Sequence, residues 1–196
     1  IIADAIIKNV KGFDRKKAYG VMLANARGAR CPEYLEKGWV PGKGKMMSCS
    51  YTMEYAYNDD CLSRIAGIMG DSATAAAMAE RSRQWENIFD PALESHGFKG
   101  FIAPREADGS RIAIDAAKVY GPWVDYFYEG NSWTYTLFTP SQIDRLIKLC
   151  GGKKEMLRRL QYGFDNGLVD IANEPGFLAP FIFSHCDRPD LTADYV

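Results

Sequence analysis

The chain has 196 residues, enough for one domain with a substantial core. Its 24 Lys and Arg stand against 25 Asp and Glu, a formal net charge of −1 that leaves no excess of base for nucleic-acid phosphates. No run of about 18 apolar residues occurs, so no membrane-spanning helix is expected.

In chain order, Ile1-Ile2-Ala3-Asp4-Ala5-Ile6-Ile7 already has helical spacing, with no basic-then-apolar leader before it. Asp14 is a good N-cap for a helix with Ala18, Val21, Met22 and Ala26 on one face, ending at Gly28. A loop rich in Gly, Pro and Lys follows from Gly38 to Lys45. The pattern predicts a long helix from Ser50 to Met69, stopped by Gly70. Asp71 or Ser72 caps the next, whose alanine-rich start suits close packing.

Between Phe89 and Asp125 the punctuation is Gly97, Gly100, Pro104, Gly109, Gly121 and Pro122, with short runs such as Gly100-Phe101-Ile102-Ala103, and the region around residues 90–125 reads as a long loop or one short hairpin. A long irregular stretch inside a compact domain tends to be functional. Helices are expected again at Ser132 to Phe138, Ser141 to Cys150, Lys153 to Gly163 and Pro175 to His185, with a last one starting at Asp190-Leu191-Thr192. The final residues Ala193-Asp194-Tyr195-Val196 lie inside that last pattern, and both ends of the chain are expected to continue into a larger protein. No βαβ unit is present, and the fold class expected is all-α, built of helical hairpins.

Five cysteines without a CxxC pair indicate neither a zinc site nor a disulfide framework. Two histidines, His96 and His185, supply a triad or a multi-histidine metal site poorly.

Tyr126-Phe127-Tyr128-Glu129-Gly130-Asn131-Ser132-Trp133-Thr134-Tyr135 sets one carboxylate among five aromatic residues. Aromatic rings stack on the apolar face of a pyranose, and desolvation by them suits a general acid near neutral pH. The other reading of the same residues is a buried aromatic cluster with Glu129 capping a helix. Asp170-Ile171-Ala172-Asn173-Glu174-Pro175 again puts a carboxylate just before a helix, either as hard oxygen ligands for Ca²⁺ or sugar hydroxyls, or as a cap meeting the helix dipole. Glu54, Asn58 and Cys61 share one helical face, as a cavity lining or a solvated stripe. Arg105 is placed to orient a carboxylate or a sugar, while Asp108-Gly109 makes a turn.

In this order the motifs resemble glycoside hydrolase family 92, the exo-acting α-mannosidases. The similarity runs through Gly12-Phe13-Asp14, Gly38-Trp39-Val40-Pro41, Thr52-Met53-Glu54-Tyr55-Ala56-Tyr57-Asn58-Asp59, Arg81-Ser82, Asn87-Ile88-Phe89-Asp90, Pro104-Arg105, Gly151-Gly152-Lys153 and Asn173-Glu174-Pro175. Tyr128-Glu129-Gly130-Asn131-Ser132-Trp133 is the most specific piece. The resemblance implies that residues 1–196 are a fragment of an (α/α)6-barrel catalytic domain, with an N-terminal β-sandwich domain and the rest of the barrel outside the chain. It implies a calcium-dependent, inverting exo-α-mannosidase acting on mannose-containing glycans in the periplasm or outside the cell. It implies Glu129 as general acid, Trp133, Tyr128, Asn131, Glu174 and Arg105 as substrate-binding residues, and Asn173 and Glu174 as metal ligands. The general base is expected beyond Val196, so the isolated fragment is expected to be inactive. Two other readings stay open: a different α/α-barrel carbohydrate enzyme, and a non-catalytic carbohydrate-binding relative.

One departure stands out. The family usually carries a His-Gly pair before Asn-Glu-Pro and small or His residues after it, whereas Ile171-Ala172 precede it here and Gly176-Phe177-Leu178 follow. An imidazole lost from this position changes the contacts available to a sugar and the geometry available to a metal.

Overall fold

The computed structural model describes residues 1–28, 30–44, 46–120 and 125–196; Lys45, Gly121 and Pro122, read above as loop, lie outside the described residues. The spine of the first half is α4 (Ser48–Ile68). Its buried stripe, Thr52, Met53, Ala56, Asp59, Leu62, Ile65 and Ala66, recurs at the three-and-four spacing of one helical face. Around it pack α1 (Ile2–Ile7), α2 (Arg15–Gly28) and α5 (Ser72–Arg81). Ala3 and Ile6 close against Ile65. Asp14 caps α2 through the amides of Lys16 and Lys17, and Asp71, rather than Ser72, caps α5 through the amide of Thr74. The small residues of α5 let it lie close to α4, where the Ser63 hydroxyl donates to the Ala75 carbonyl at 2.8 Å. On α2 the expected apolar face is only partly buried, since Ala26 is covered and Val21 is exposed.

A short helix missing from the sequence reading, α3 (Pro32–Lys37), runs between α2 and α4 with Pro at its start and Gly38 in the left-handed conformation at its end. The second half departs from an all-helical chain. A 3-10 turn (Gln84–Ile88) leads into an antiparallel hairpin, β1 (Phe89–Ser95) and β2 (Phe98–Ile102), in the register Phe89↔Ile102 and Ser95↔Phe98. His96 and Gly97, both at positive φ, make its two-residue turn. This is the hairpin for which the sequence left room.

Behind β2 sits α6 (Ser132–Thr136), buried at every position. The Ile102 amide donates to Thr136 Oγ1 at 2.9 Å and the Ser132 hydroxyl donates to the Ile102 carbonyl, so α6 holds one end of the strand through side chains. Around this pair stand α7 (Ile143–Leu149), α8 (Lys153–Asp165), α9 (Ile182–His185) and α10 (Pro189–Tyr195), burying Phe98, Phe101, Leu146, Met156, Leu160 and Phe183 in one core. The single helix expected from Pro175 to His185 is instead two 3-10 turns, Glu174–Gly176 and Ala179–Phe181, followed by the one-turn α9. Pro180 has no amide hydrogen to continue an α-helical ladder through this stretch. All five cysteines are unpaired.

Candidate active site

The segment carrying Glu129 is pinned from three directions. The amides of Cys49 and Ser50, free in the first turn of α4, donate to the Tyr126 carbonyl at 3.0 and 3.4 Å. The Tyr128 amide donates to the Ser50 hydroxyl at 2.8 Å, and the Tyr120 amide donates to the Gly130 carbonyl at 2.9 Å. Asn131 then starts α6, accepting from the Thr134 amide at 2.8 Å while its own amide group donates to the Leu168 carbonyl at 3.0 Å.

That last bond begins a second docking. The Asp170 amide reaches Thr134 Oγ1 at 3.4 Å, so residues 168–176 lie against α6. Gly176 packs so tightly on this loop that a Cβ there would stand 1.7 Å from the Asp170 carbonyl oxygen. The outcome is a direct contact between the two motifs: Asn173 Nδ2 donates to Glu129 Oε2 at 3.1 Å and lies 3.4 Å from the Glu129 carbonyl. Tyr128 completes the group. Its phenol is held above its ordinary value by desolvation first, then by the charge and hydrogen bond of Glu129 and the charge of Glu174. Glu129, Tyr128, Asn173 and Glu174 thus form one polar group, with the side chains of Glu129 and Glu174 exposed and those of Tyr128 and Asn173 half-buried.

The aromatic wall expected around Glu129 points elsewhere. Phe127, Trp133 and Tyr135 are turned into the core, at 0%, 1% and 2% exposure. Trp133 packs edge-on against Phe98, and its indole donates to the Ser95 hydroxyl at 3.1 Å, so it presents no face to a sugar in this structure. Asn131 spends its amide on the backbone. Arg105 lies over the Trp39 ring at 4.5 Å and donates to the carbonyls of Gly109 and Asn87, which holds its own loop; none of these contacts reaches Glu129. Of the residues assigned from the sequence, the structure therefore brings together Glu129, Tyr128, Asn173 and Glu174, and leaves Trp133, Asn131 and Arg105 on the scaffold side.

A calcium ion takes six to eight oxygen ligands. Of the two residues expected to hold one, Asn173 accepts from the Glu174 amide through Oδ1 at 3.0 Å, which uses one of that oxygen's two lone pairs, and gives its Nδ2 to Glu129, while the Glu174 carboxylate is exposed. Among the described residues no cluster of three or more His, Cys, Asp or Glu could hold a metal. The residues present do not make a calcium site by themselves. Ile171, Phe177 and Leu178, which flank Asn173 and Glu174, are exposed and apolar.

Of the helical stripe read from the sequence, Asn58 and Cys61 line a cavity of about 360 Å³ with Ile1, Val21, Met22 and Arg30. Glu54 lies apart from it, where its charge acts on the Tyr135 hydroxyl, and desolvation holds its own carboxyl above the ordinary value even though part of the side chain stays open to solvent. The sequence reading missed Ser50 and the Tyr135 hydroxyl, the latter donating to the Tyr128 carbonyl at 3.0 Å. Their partners lie 78 and seven residues away, and no spacing rule signals either contact.

The helix-rich scaffold thus presents an exposed carboxylate pair, Glu129 and Glu174, beside a tyrosine and an amide. The chain belongs to glycosyl hydrolase family 92: the model of that family's catalytic domain matches residues 1–196. It is 29% identical to an uncharacterized secreted glycosidase of Arthroderma benhamiae, over 98% of this chain and 29% of that protein. A family GH92 α-mannosidase from Bacteroides thetaiotaomicron, solved in complex with mannoimidazole, superposes with a TM-score of 0.87 at 26% identity, over 99% of this chain and 28% of that one. An inverting mannosidase of the same family from Bacteroides thetaiotaomicron VPI-5482 gives 0.78 at 24% identity, over 93% of this chain, and speaks to the fold alone. The chain thus spans little more than a quarter of the length of these relatives. No described helix is long and apolar enough to cross a membrane.

Proposed function

We propose that this chain is the part of an exo-acting α-mannosidase that carries the general acid, and that Glu129 is that acid. The observation carrying the proposal is the hydrogen bond from Asn173 to Glu129, which joins the two motifs across 44 residues at one exposed point. In this reading Glu129 protonates the leaving oxygen, while Asn173, Glu174 and Tyr128 hold the terminal sugar and orient the acid. An inverting reaction also needs a carboxylate on the opposite face of the ring, roughly 6.5–9.5 Å away, to activate water. That base is assigned to the polypeptide beyond these residues, as are the rest of an (α/α)6 barrel and a β-sandwich domain. The 196-residue chain alone is accordingly expected to be inactive. Trp133, Asn131 and Arg105 enter this reading as supports of the site, and a substrate contact by the buried Trp133 or Asn131 requires a movement.

Calcium dependence belongs to the same reading, with Asn173 Oδ1 and the Glu174 carboxylate as two ligands and the remaining oxygen donors from outside this chain; no catalytic step is assigned to the ion. Loss of activity on treatment with EDTA and its return with Ca²⁺ tests this. The compartment proposed is outside the cytoplasm, in line with the relative described as secreted.

The test of substrate class is a panel of aryl α-glycosides presented to the complete polypeptide. Selective release from the mannoside supports the proposal. Release from another glycoside in preference to the mannoside favours a different carbohydrate enzyme and points to Ile171, Phe177 and Leu178 as the cause. Binding of mannose without release favours a non-catalytic relative.

A further inference from the structure

We propose that Ser50 and Tyr135 are positioning residues for the catalytic acid, gripping the Tyr128 peptide from both sides so that Glu129 keeps a left-handed backbone with its carboxylate turned to Asn173. The inference rests on the reading of Glu129 as general acid.

Glu129 has φ +44°. A side chain with a Cβ is disfavoured there, and such a conformation persists only where its surroundings over-determine it. The surroundings do so at successive backbone groups. The Tyr128 N–H is taken by the Ser50 hydroxyl at 2.8 Å. The Tyr128 carbonyl, half of the peptide bond into Glu129, is taken by the Tyr135 hydroxyl at 3.0 Å. Beyond Glu129, the Gly130 carbonyl is taken by the Tyr120 amide.

The two gripping groups are better placed than surface side chains to fix an angle. Ser50 is 5% exposed and stands in the first turn of α4, a 21-residue helix whose amides also hold Tyr126. Tyr135 is 2% exposed, and its ring passes over Gly130, where a Cβ would stand only 3.1 Å from the ring. A glycine at 130 is what lets the phenol reach the carbonyl two residues back. Ser50 and Tyr135 thus take the amide and the carbonyl of one residue, Tyr128, from two different helices, α4 and α6. Burial pushes the Tyr135 hydroxyl up to about 12, so it remains a donor at any pH below that. Neither residue needs to touch substrate for this. Each acts through the Tyr128 peptide, and a misplaced acid costs rate when the geometry of proton transfer is lost.

The test uses the complete polypeptide with two substrates. Cleavage of an α-linked mannobiose expels a sugar alkoxide, which requires protonation; cleavage of dinitrophenyl α-mannoside expels a stable phenolate, which does not. Tyr135→Phe and Ser50→Ala are expected to lower kcat on the mannobiose roughly 10- to 100-fold, with KM and the dinitrophenyl rate little changed. Ser50→Thr, which keeps the acceptor, is expected to restore the mannobiose rate. Equal losses on both substrates, or no loss on either, overturn the positioning role. Glu129→Gln is measured alongside. If it shows the split and the Ser50 and Tyr135 variants do not, the positioning role alone falls. If Glu129→Gln shows no split, the acid assignment fails and the positioning role with it.

Discussion

The molecule holds two clusters built from the same kinds of group, and they have opposite fates. Around Asp59, in the first half, Arg30 donates to Oδ1 at 2.9 Å, Arg81 makes a two-point contact at 2.7 Å to each oxygen, and the Tyr34 hydroxyl donates to Oδ2 at 2.9 Å. The Asp59 side chain is wholly buried and those of Arg30 and Arg81 nearly so. Around Glu129, in the second half, a carboxylate meets one amide, one tyrosine and a second carboxylate, and its side chain is exposed. A carboxylate with both oxygens saturated by two guanidinium groups has nothing left to give a substrate. It ties α4 to α5, to α3 and to Arg30, two residues before α3. A carboxylate that meets only neutral donors among the described residues, the Asn173 amide and the Tyr128 hydroxyl, on a backbone fixed in a disfavoured conformation, has no counter-charge and stays open to a substrate. What separates the two is the number and charge of the partners.

The sharpest way to break this comparison is Asp59→Asn in the complete polypeptide. It leaves Arg30 and Arg81 buried without their counter-charge and is expected to cost about 3–5 kcal/mol in denaturant unfolding. Turnover per folded molecule should stay unchanged, and a selective loss of turnover would merge the two clusters into one functional unit.

Gly176→Ala attacks the other cluster through its scaffold. The added Cβ meets the Asp170 carbonyl at 1.7 Å, so residues 170–173 must move. The expected cost is roughly 1–3 kcal/mol in melting together with a fall in kcat, because Asn173 leaves Glu129. Asn173→Ala removes the contact without the strain. Being half-buried, it should change stability by about 0.5 kcal/mol or less while lowering kcat/KM on an α-mannoside roughly 10-fold.

The smallest effect is one of pH. The Tyr135 hydroxyl is raised from 10.0 to about 12 in the folded chain, chiefly by desolvation. A raised value means that its contribution to stability is fully present below about pH 10 and is lost as pH climbs through about 12. Alkaline melting of the unaltered polypeptide should therefore fall more steeply across that window than that of Tyr135→Phe, and parallel curves would remove the hydroxyl from the ledger of the fold.

Much of this was legible in the sequence where a single element carries its own signal. The stripe on α4, the caps at Asp14 and Asp71, and the glycine stops at Gly70 and Gly151-Gly152 are local rules, and each helix they define is present. The helix expected from Pro175 to His185 failed because its pattern was apolar and periodic while Pro180 and the contact of Gly176 with Asp170 break it into shorter turns. In the site, the motifs containing Glu129 and Asn173-Glu174 were readable as separate pieces. Their meeting was not, because it depends on Asn131 and Thr134 docking the loop at 168–170. Trp133 shows the converse. An aromatic residue four positions from a carboxylate reads as a sugar platform, but Asn131 begins a helix between them and turns the ring toward Phe98. Asp59 carried a signal that went unread: a carboxylate on the buried stripe of an apolar helix requires cations, and Arg81 was already in view.

The central claim is that Glu129 supplies the proton to the leaving group. Turnover of an α-linked mannobiose by Glu129→Gln in the complete polypeptide tests it most directly. A fall in kcat of roughly 10²- to 10⁴-fold, with the fold intact by melting, is the expected result. Turnover close to that of the unaltered polypeptide would contradict it.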